Sequence, residues 1–144
     1  SKAYHDYFIE DQYEAGIELA GTEVKSIRQG HVNLKDSFCI AKDGQMHVHG
    51  MHISPYEKGN IFNKDPLRPR RLLMHKREIL RLYARVKQDG YALVPLSIYF
   101  RGSRVKLEVG LAKGKKLYDK RDAAAAKDAR REMDRAMKDR RRGG

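Results

Sequence analysis

Short runs of strict period-two alternation, each closed by a turn signal, constrain this chain more than any other feature. Val105, Leu107, Val109 and Leu111 alternate with Lys106, Glu108 and Gly110. Successive side chains of an extended strand point to opposite faces, so this run has one apolar and one polar side. Tyr13, Ala15, Ile17 and Leu19 alternate in the same way with Glu14, Gly16 and Glu18. Between these runs, residues 34–41 and 45–53 flank Asp43-Gly44, a short hairpin signal. Residues 92–100 place Leu96, Ile98 and Phe100 on one face, with Pro95 marking an edge or a bulge, and Arg101-Gly102-Ser103 turns the chain back.

Two helices interrupt the strands. Thr22 is expected to N-cap a short helix to Gln29, with Val24 and Ile27 on its buried side and Lys25 and Arg28 on its solvent side. Gly30 supplies its stop. The longer helix spans about 75–87: Ile79, Tyr83 and Val86 recur at helical spacing, and Leu80 and Leu82 broaden the apolar side. Arg77, Arg81 and Arg85 form a basic stripe, Glu78 can answer the first amides if His75 is the N-cap, and Asp89-Gly90 ends the helix. Residues 53–71, with three prolines and few periodic apolar residues, read as a long loop of the kind that often carries function. Short, evenly spaced strands with a helix in the middle predict a mainly β fold. The leading form is an antiparallel OB-type closed barrel, five-stranded with added helices, and a generic α+β sheet is the alternative.

Charge divides the chain. The net balance is +12, and residues 112–144 hold 13 Lys and Arg against 6 Asp and Glu, more than half of the excess. We therefore expect a barrel over 1–111 and a basic tail over 112–144. In the tail, Ala123, Ala126, Ala129, Met133 and Met137 mark a thin apolar stripe at helical spacing. Such a stripe buries little, so the tail is expected to be disordered alone and helical on a partner. The excess favours nucleic acid first and an anionic membrane second, although the stripe lacks the large apolar residues of a membrane-surface helix. No run approaches the ~20 apolar residues of a membrane span, and no signal peptide opens the chain, so a cytoplasmic location is expected. Cys39 has no second cysteine to pair with and reads as a packing thiol.

Several chemistries lack their working parts. Gly110 to Lys116 looks like a phosphate loop, but it has three residues between its glycines where the motif needs four, and Lys116 stands where Ser or Thr would reach a metal. It reads better as a hinge leaving the last strand. His47, His49 and His52 lie close together without the further ligands that a metal site needs. No nucleophile motif is present, so no enzymatic activity, cofactor or metal is expected. Glu14, a carboxylate on the polar face of a strand, can either offset a nearby cation or accept hydrogen bonds from a base edge or a 2′-hydroxyl.

Seven segments, in order along the chain, resemble the SsrA-binding protein (SmpB) family. They are His5-Asp6-Tyr7-Phe8-Ile9, Tyr13-Glu14-Ala15-Gly16, Gly21-Thr22-Glu23-Val24-Lys25-Ser26, Asp65-Pro66 with Arg68, Leu72-Leu73-Met74-His75-Lys76-Arg77-Glu78, Leu93-Val94-Pro95-Leu96, and Gly114-Lys115-Lys116 with Asp119-Lys120-Arg121. The resemblance implies an OB-fold barrel that binds the tRNA-like domain of tmRNA and brings it to stalled ribosomes for trans-translation. It implies partnership with small-subunit rRNA and the mRNA channel, and with elongation factor Tu indirectly through tmRNA. It also implies that Glu14 and Leu73 face RNA, and that Gly114, Lys115, Lys116, Asp119, Lys120 and Arg121 serve the decoding centre, with Tyr118 at a ring-bearing position. Charge and placement add Lys2, His5, Lys25, Arg28, His75, Lys76 and Arg77 to the RNA-facing set, and a monomer is expected. The alternative function is a general structured-RNA-binding or ribosome-associated barrel.

Overall fold

The computed structural model describes residues 7–114. They fold as β1 (Tyr7–Ile17), α1 (Gly21–Arg28), β2 (Val32–Asn33), β3 (Phe38–Lys42), β4 (Gln45–His49), β5 (His52–Ile53), β6 (Arg70–Leu73), α2 (Lys76–Asp89), β7 (Ala92–Arg101) and β8 (Arg104–Gly114). Six strands close an antiparallel barrel in the order β1-β6-β4-β3-β7-β8, and β2 pairs with β5 as a separate ribbon. The barrel thus has the expected OB-like form with one strand more than expected.

The extra strand is β6. Residues 53–71 are not loop throughout, because Arg70 and Arg71 enter the barrel opposite Val48 and His47. No apolar alternation announces this strand, since its inward position is Arg70, a fully buried guanidinium. It donates to Glu23 Oε2 at 2.8 Å, to the Met51 carbonyl at 2.6 Å and to the Pro66 carbonyl at 3.1 Å. A buried charge is tolerated only when paired and hydrogen-bonded, and these contacts meet both conditions.

Glu23 also corrects the start of α1. The helix begins at Gly21, with Ala20 in the extended N-cap position, and Glu23 accepts the Ala20 amide at 2.9 Å. Thr22 is not the cap; its hydroxyl donates to the Phe62 carbonyl at 3.2 Å. Burial pushes the Glu23 carboxyl up, but hydrogen bonds from Arg68, the Ala20 amide and Arg70 outweigh it and hold the group below its ordinary value.

The hairpin turn lies where its residues require it. Asp43 and Gly44 both take positive φ, 54° and 74°, the geometry that joins two twisted strands by two residues. β4 ends earlier than expected, at His49, because Gly50 turns the chain with φ 74°. A Cβ there would come within 2.9 Å of the Asp36 carbonyl oxygen. In β7 the register slips between Pro95 and Ser97. Leu93 is buried before the bulge, Ile98 and Phe100 pack against the core after it, and Leu96 lies over Gly110.

The core is built from the inward rows: Met46 and Val48 of β4, Leu72 of β6, and Leu107, Val109 and Leu111 of β8, with Ile79 and Leu82 of α2 as the lid. Leu80 and Tyr83 stay exposed, so the apolar side of α2 is narrower than its composition suggests. β8 continues past Leu111 to Gly114, with Ala112 fully buried. The segment from Gly110 to Gly114 is therefore extended strand and not a phosphate loop, and Lys115 and Lys116 of the expected hinge lie outside the described residues. Cys39 packs inward, and burial pushes its thiol up to about 12, as a packing role requires.

Candidate RNA interface

β1 carries Glu14 and Gly16 on the outside of the barrel while Ala15 and Ile17 face the core, and Glu18, just past the end of the strand, is exposed. Glu14 is the centre of a small cluster. Its Oε2 accepts from the Tyr99 hydroxyl and from Arg101 Nη2 at 2.8 Å and Nε at 3.2 Å. The Tyr99 hydrogen bond, together with Arg101, outweighs the cost of desolvation and holds the Glu14 carboxyl below its ordinary value. The group stays ionised, and Oε1 offers an acceptor to a donor outside the protein. The offset to a cation and the acceptor role, separate alternatives in the sequence, are thus compatible. Neither Tyr99 nor Arg101 was identified as a site residue by sequence. Their partner lies 85 and 87 positions away, and only barrel closure brings them together.

Leu73 of β6 lies directly opposite Gly16 of β1. Opposed residues of an antiparallel pair share a face, so Leu73 sits on the same outer surface as Glu14. It is 49% exposed, and Gly16 is what lets it lie flat, since a Cβ at Gly16 would stand 3.2 Å from that of Leu73. An ionised acceptor beside a flat apolar contact suits a nucleotide, which offers hydroxyl donors and ring or ribose surface together.

The chain then turns into α2. His75 is its N-cap, with its amide 3.3 Å from Glu78 Oε1, and His75, Lys76 and Arg77 are all exposed. On α1, Lys25 and Arg28 are exposed as expected. The Lys25 ammonium stands 5.4 Å from the Tyr56 ring centre and the Arg28 guanidinium 4.5 Å from that of Phe100. The basic stripe of α2 does not hold along its length. Arg85 donates to Glu10 at 2.6 Å and Asp89 at 3.0 Å and covers the Tyr91 ring at 4.5 Å, so it ties the helix to β1. His49 stacks on Phe38 at 5.4 Å, and no cluster able to hold a metal occurs among the described residues. Lys2, His5, Lys115, Lys116, Tyr118, Asp119, Lys120 and Arg121 lie outside the described residues, and Gly114 is the last residue of β8.

The family model described as SmpB protein matches residues 1–139. The chain belongs to the SmpB family. It is 62% identical over 141 residues to the SsrA-binding protein of Clostridium botulinum (strain Hall), covering 98% of this chain and 90% of that one. It is 62% identical over 138 residues to the SsrA-binding protein of Caldicellulosiruptor bescii, covering 96% of this chain and 87% of that one. Among solved structures it is similar to a chain described as "tmRNA-SmpB: a journey to the center of the bacterial ribosome", with a TM-score of 0.68 and 49% identity over 88% of this chain and 89% of that one. The OB-like barrel is thus shared with a solved SmpB chain at substantial identity, and the outer-face cluster around Glu14 lies within the family match.

Proposed function

We propose that this SmpB-family chain binds the tRNA-like domain of tmRNA with the outer face of its barrel and brings it to stalled ribosomes for trans-translation. The observation that carries the reading is the pairing on one face of an ionised, pre-oriented Glu14 with the half-exposed Leu73. The relatives named SsrA-binding protein and the tmRNA–SmpB ribosome structure support the same reading. Glu14 accepts from hydroxyl or base donors, Leu73 covers apolar nucleotide surface, and Lys25, Arg28, His75, Lys76 and Arg77 neutralise phosphates around them. The body acts as a binding module without catalytic chemistry. The basic residues from Lys115 to Arg121 act in the decoding region and mRNA channel of the small subunit, and elongation factor Tu joins through tmRNA. The free protein works as a monomer in the cytoplasm; no described helix is long and apolar enough to cross a membrane.

Titration of the full chain with the tRNA-like domain and with an ordinary tRNA tests this. We expect clear preference for the former. Glu14→Ala should weaken it about tenfold, as loss of a hydrogen bond to a charged group does, with an unchanged melting temperature because the side chain lies outside the core. Equal binding of both RNAs would overturn the reading.

A further inference from the structure

Phe62 and Ile61 are 72% and 88% exposed, yet the segment that carries them is well held. The Tyr56 amide donates to Asn63 Oδ1 at 2.9 Å and Asn63 Nδ2 donates back to the Tyr56 carbonyl at 2.8 Å. The Gly59 and Phe62 amides close successive turns at 2.8 Å and 2.9 Å, and the Thr22 hydroxyl pins the Phe62 carbonyl to α1 at 3.2 Å. Gly59 permits the packing: a Cβ there would come within 2.7 Å of Asn63 Oδ1 and 2.9 Å of Thr22 Cγ2. A loop fastened in this way that still turns Ile61 and Phe62 outward has an apolar surface to cover.

The groove between this loop and α1 is lined by Lys25, Tyr56, Lys58, Ile61, Phe62 and Lys64 among others, with three lysines and no carboxylate in its lining. That charge favours a phosphate backbone, and the rings of Phe62 and Tyr56 offer stacking surface to an unpaired base. A protein partner of matching charge would have to be acidic. Charge decides for RNA: the lining holds lysines alone among its charged residues. Lys25 and Arg28 stand one turn apart on the same side of α1, and Arg28 reaches the Phe100 ring near the end of β7, so the basic side of α1 extends from the groove towards the strand end where Arg101 holds Glu14.

We infer that the groove between α1 and the 54–69 loop is a second contact for the same tRNA-like domain, with Phe62 stacking on an unpaired nucleotide and Lys58 and Lys64 holding the phosphates beside it. This rests on the tmRNA-binding reading above. The test titrates the full-length protein with the tRNA-like domain at several salt concentrations. Phe62→Ala should lower affinity about tenfold with the salt slope unchanged, and Phe62→Trp should restore it. A chain carrying Lys58→Gln and Lys64→Gln should bind more weakly, with a slope smaller by about one to two. Melting temperatures should not move, since all three side chains are exposed. Parent-like affinity and slope in these variants, with Glu14→Ala still impaired, would overturn the inference and leave the first reading standing. A loss confined to ribosome association, with tmRNA affinity intact, would also overturn it by assigning the groove to another partner. If the parent chain itself shows no preference for the domain, both readings fall.

Discussion

At the scale of the residue, Glu23 has the largest structural task of any described side chain. It accepts from Arg68, Arg70 and the Ala20 amide, and so joins α1, the 54–69 loop and β6. Glu23→Gln would leave Arg70 buried without its countercharge, and breaking such a pair costs about 3–5 kcal/mol. Denaturant unfolding should show that loss. The pH dependence has a definite sign. The folded carboxyl lies below its ordinary value of 4.5, so within the window between the two values the unfolded chain binds more protons. Stability from this group is fully present above about pH 4.5, and it is lost as pH falls through the folded value. Glu23→Gln should flatten that part of the acid-unfolding curve; an unchanged curve would show that Glu23 is not the group that titrates. The Glu14 cluster differs in kind. It is solvent-facing, so under the proposed function its role is recognition, and its removal should be read in RNA affinity.

At the scale of the element, α2 shows how helical spacing overstates burial. Ile79, Leu80, Leu82, Tyr83 and Val86 all lie within the apolar arc, but the barrel meets only the side holding Ile79 and Leu82. Leu82→Ala should cost about 2–5 kcal/mol, as a fully buried leucine does, while Leu80→Ala should stay within about 0.5 kcal/mol. Thermal unfolding of the pair separates the two sides, and equal losses would contradict this placement. β6 shows the opposite failure. Its inward residues, Arg70 and Leu72, do not alternate as an apolar row, so a period-two reading passes over it. The strand exists because Glu23 and two carbonyls satisfy Arg70 from other parts of the fold.

For the whole molecule, the expected division of labour is a rigid barrel for tmRNA and a basic segment for the ribosome. A chain ending after Gly114 keeps all of β8, including the buried Leu111 and Ala112. We expect it to retain nearly full affinity for the tRNA-like domain and to lose peptide tagging on stalled ribosomes. A large drop in RNA affinity on gel shift would mean that residues 115–144 take part in binding tmRNA.

Local chemistry by itself determined the hairpin at Asp43-Gly44, the bulge at Pro95, the ends of both helices at Gly30 and Gly90, and the outer face of β1 that carries Glu14. Each follows from one residue's backbone freedom or from a period of two, which a short stretch expresses completely. Seven ordered segments also carried the family resemblance. Tertiary structure alone decided that Arg70 is inside, that Glu23 rather than Thr22 organises the start of α1, and that Tyr99 and Arg101 orient Glu14. It also decided that Arg85 is bound to β1, and that Phe62 stands outward beside three lysines. Most of these are pairings between residues tens of positions apart. Their energies depend on which charges the closing barrel brings within hydrogen-bond reach, and no local pattern encodes that distance.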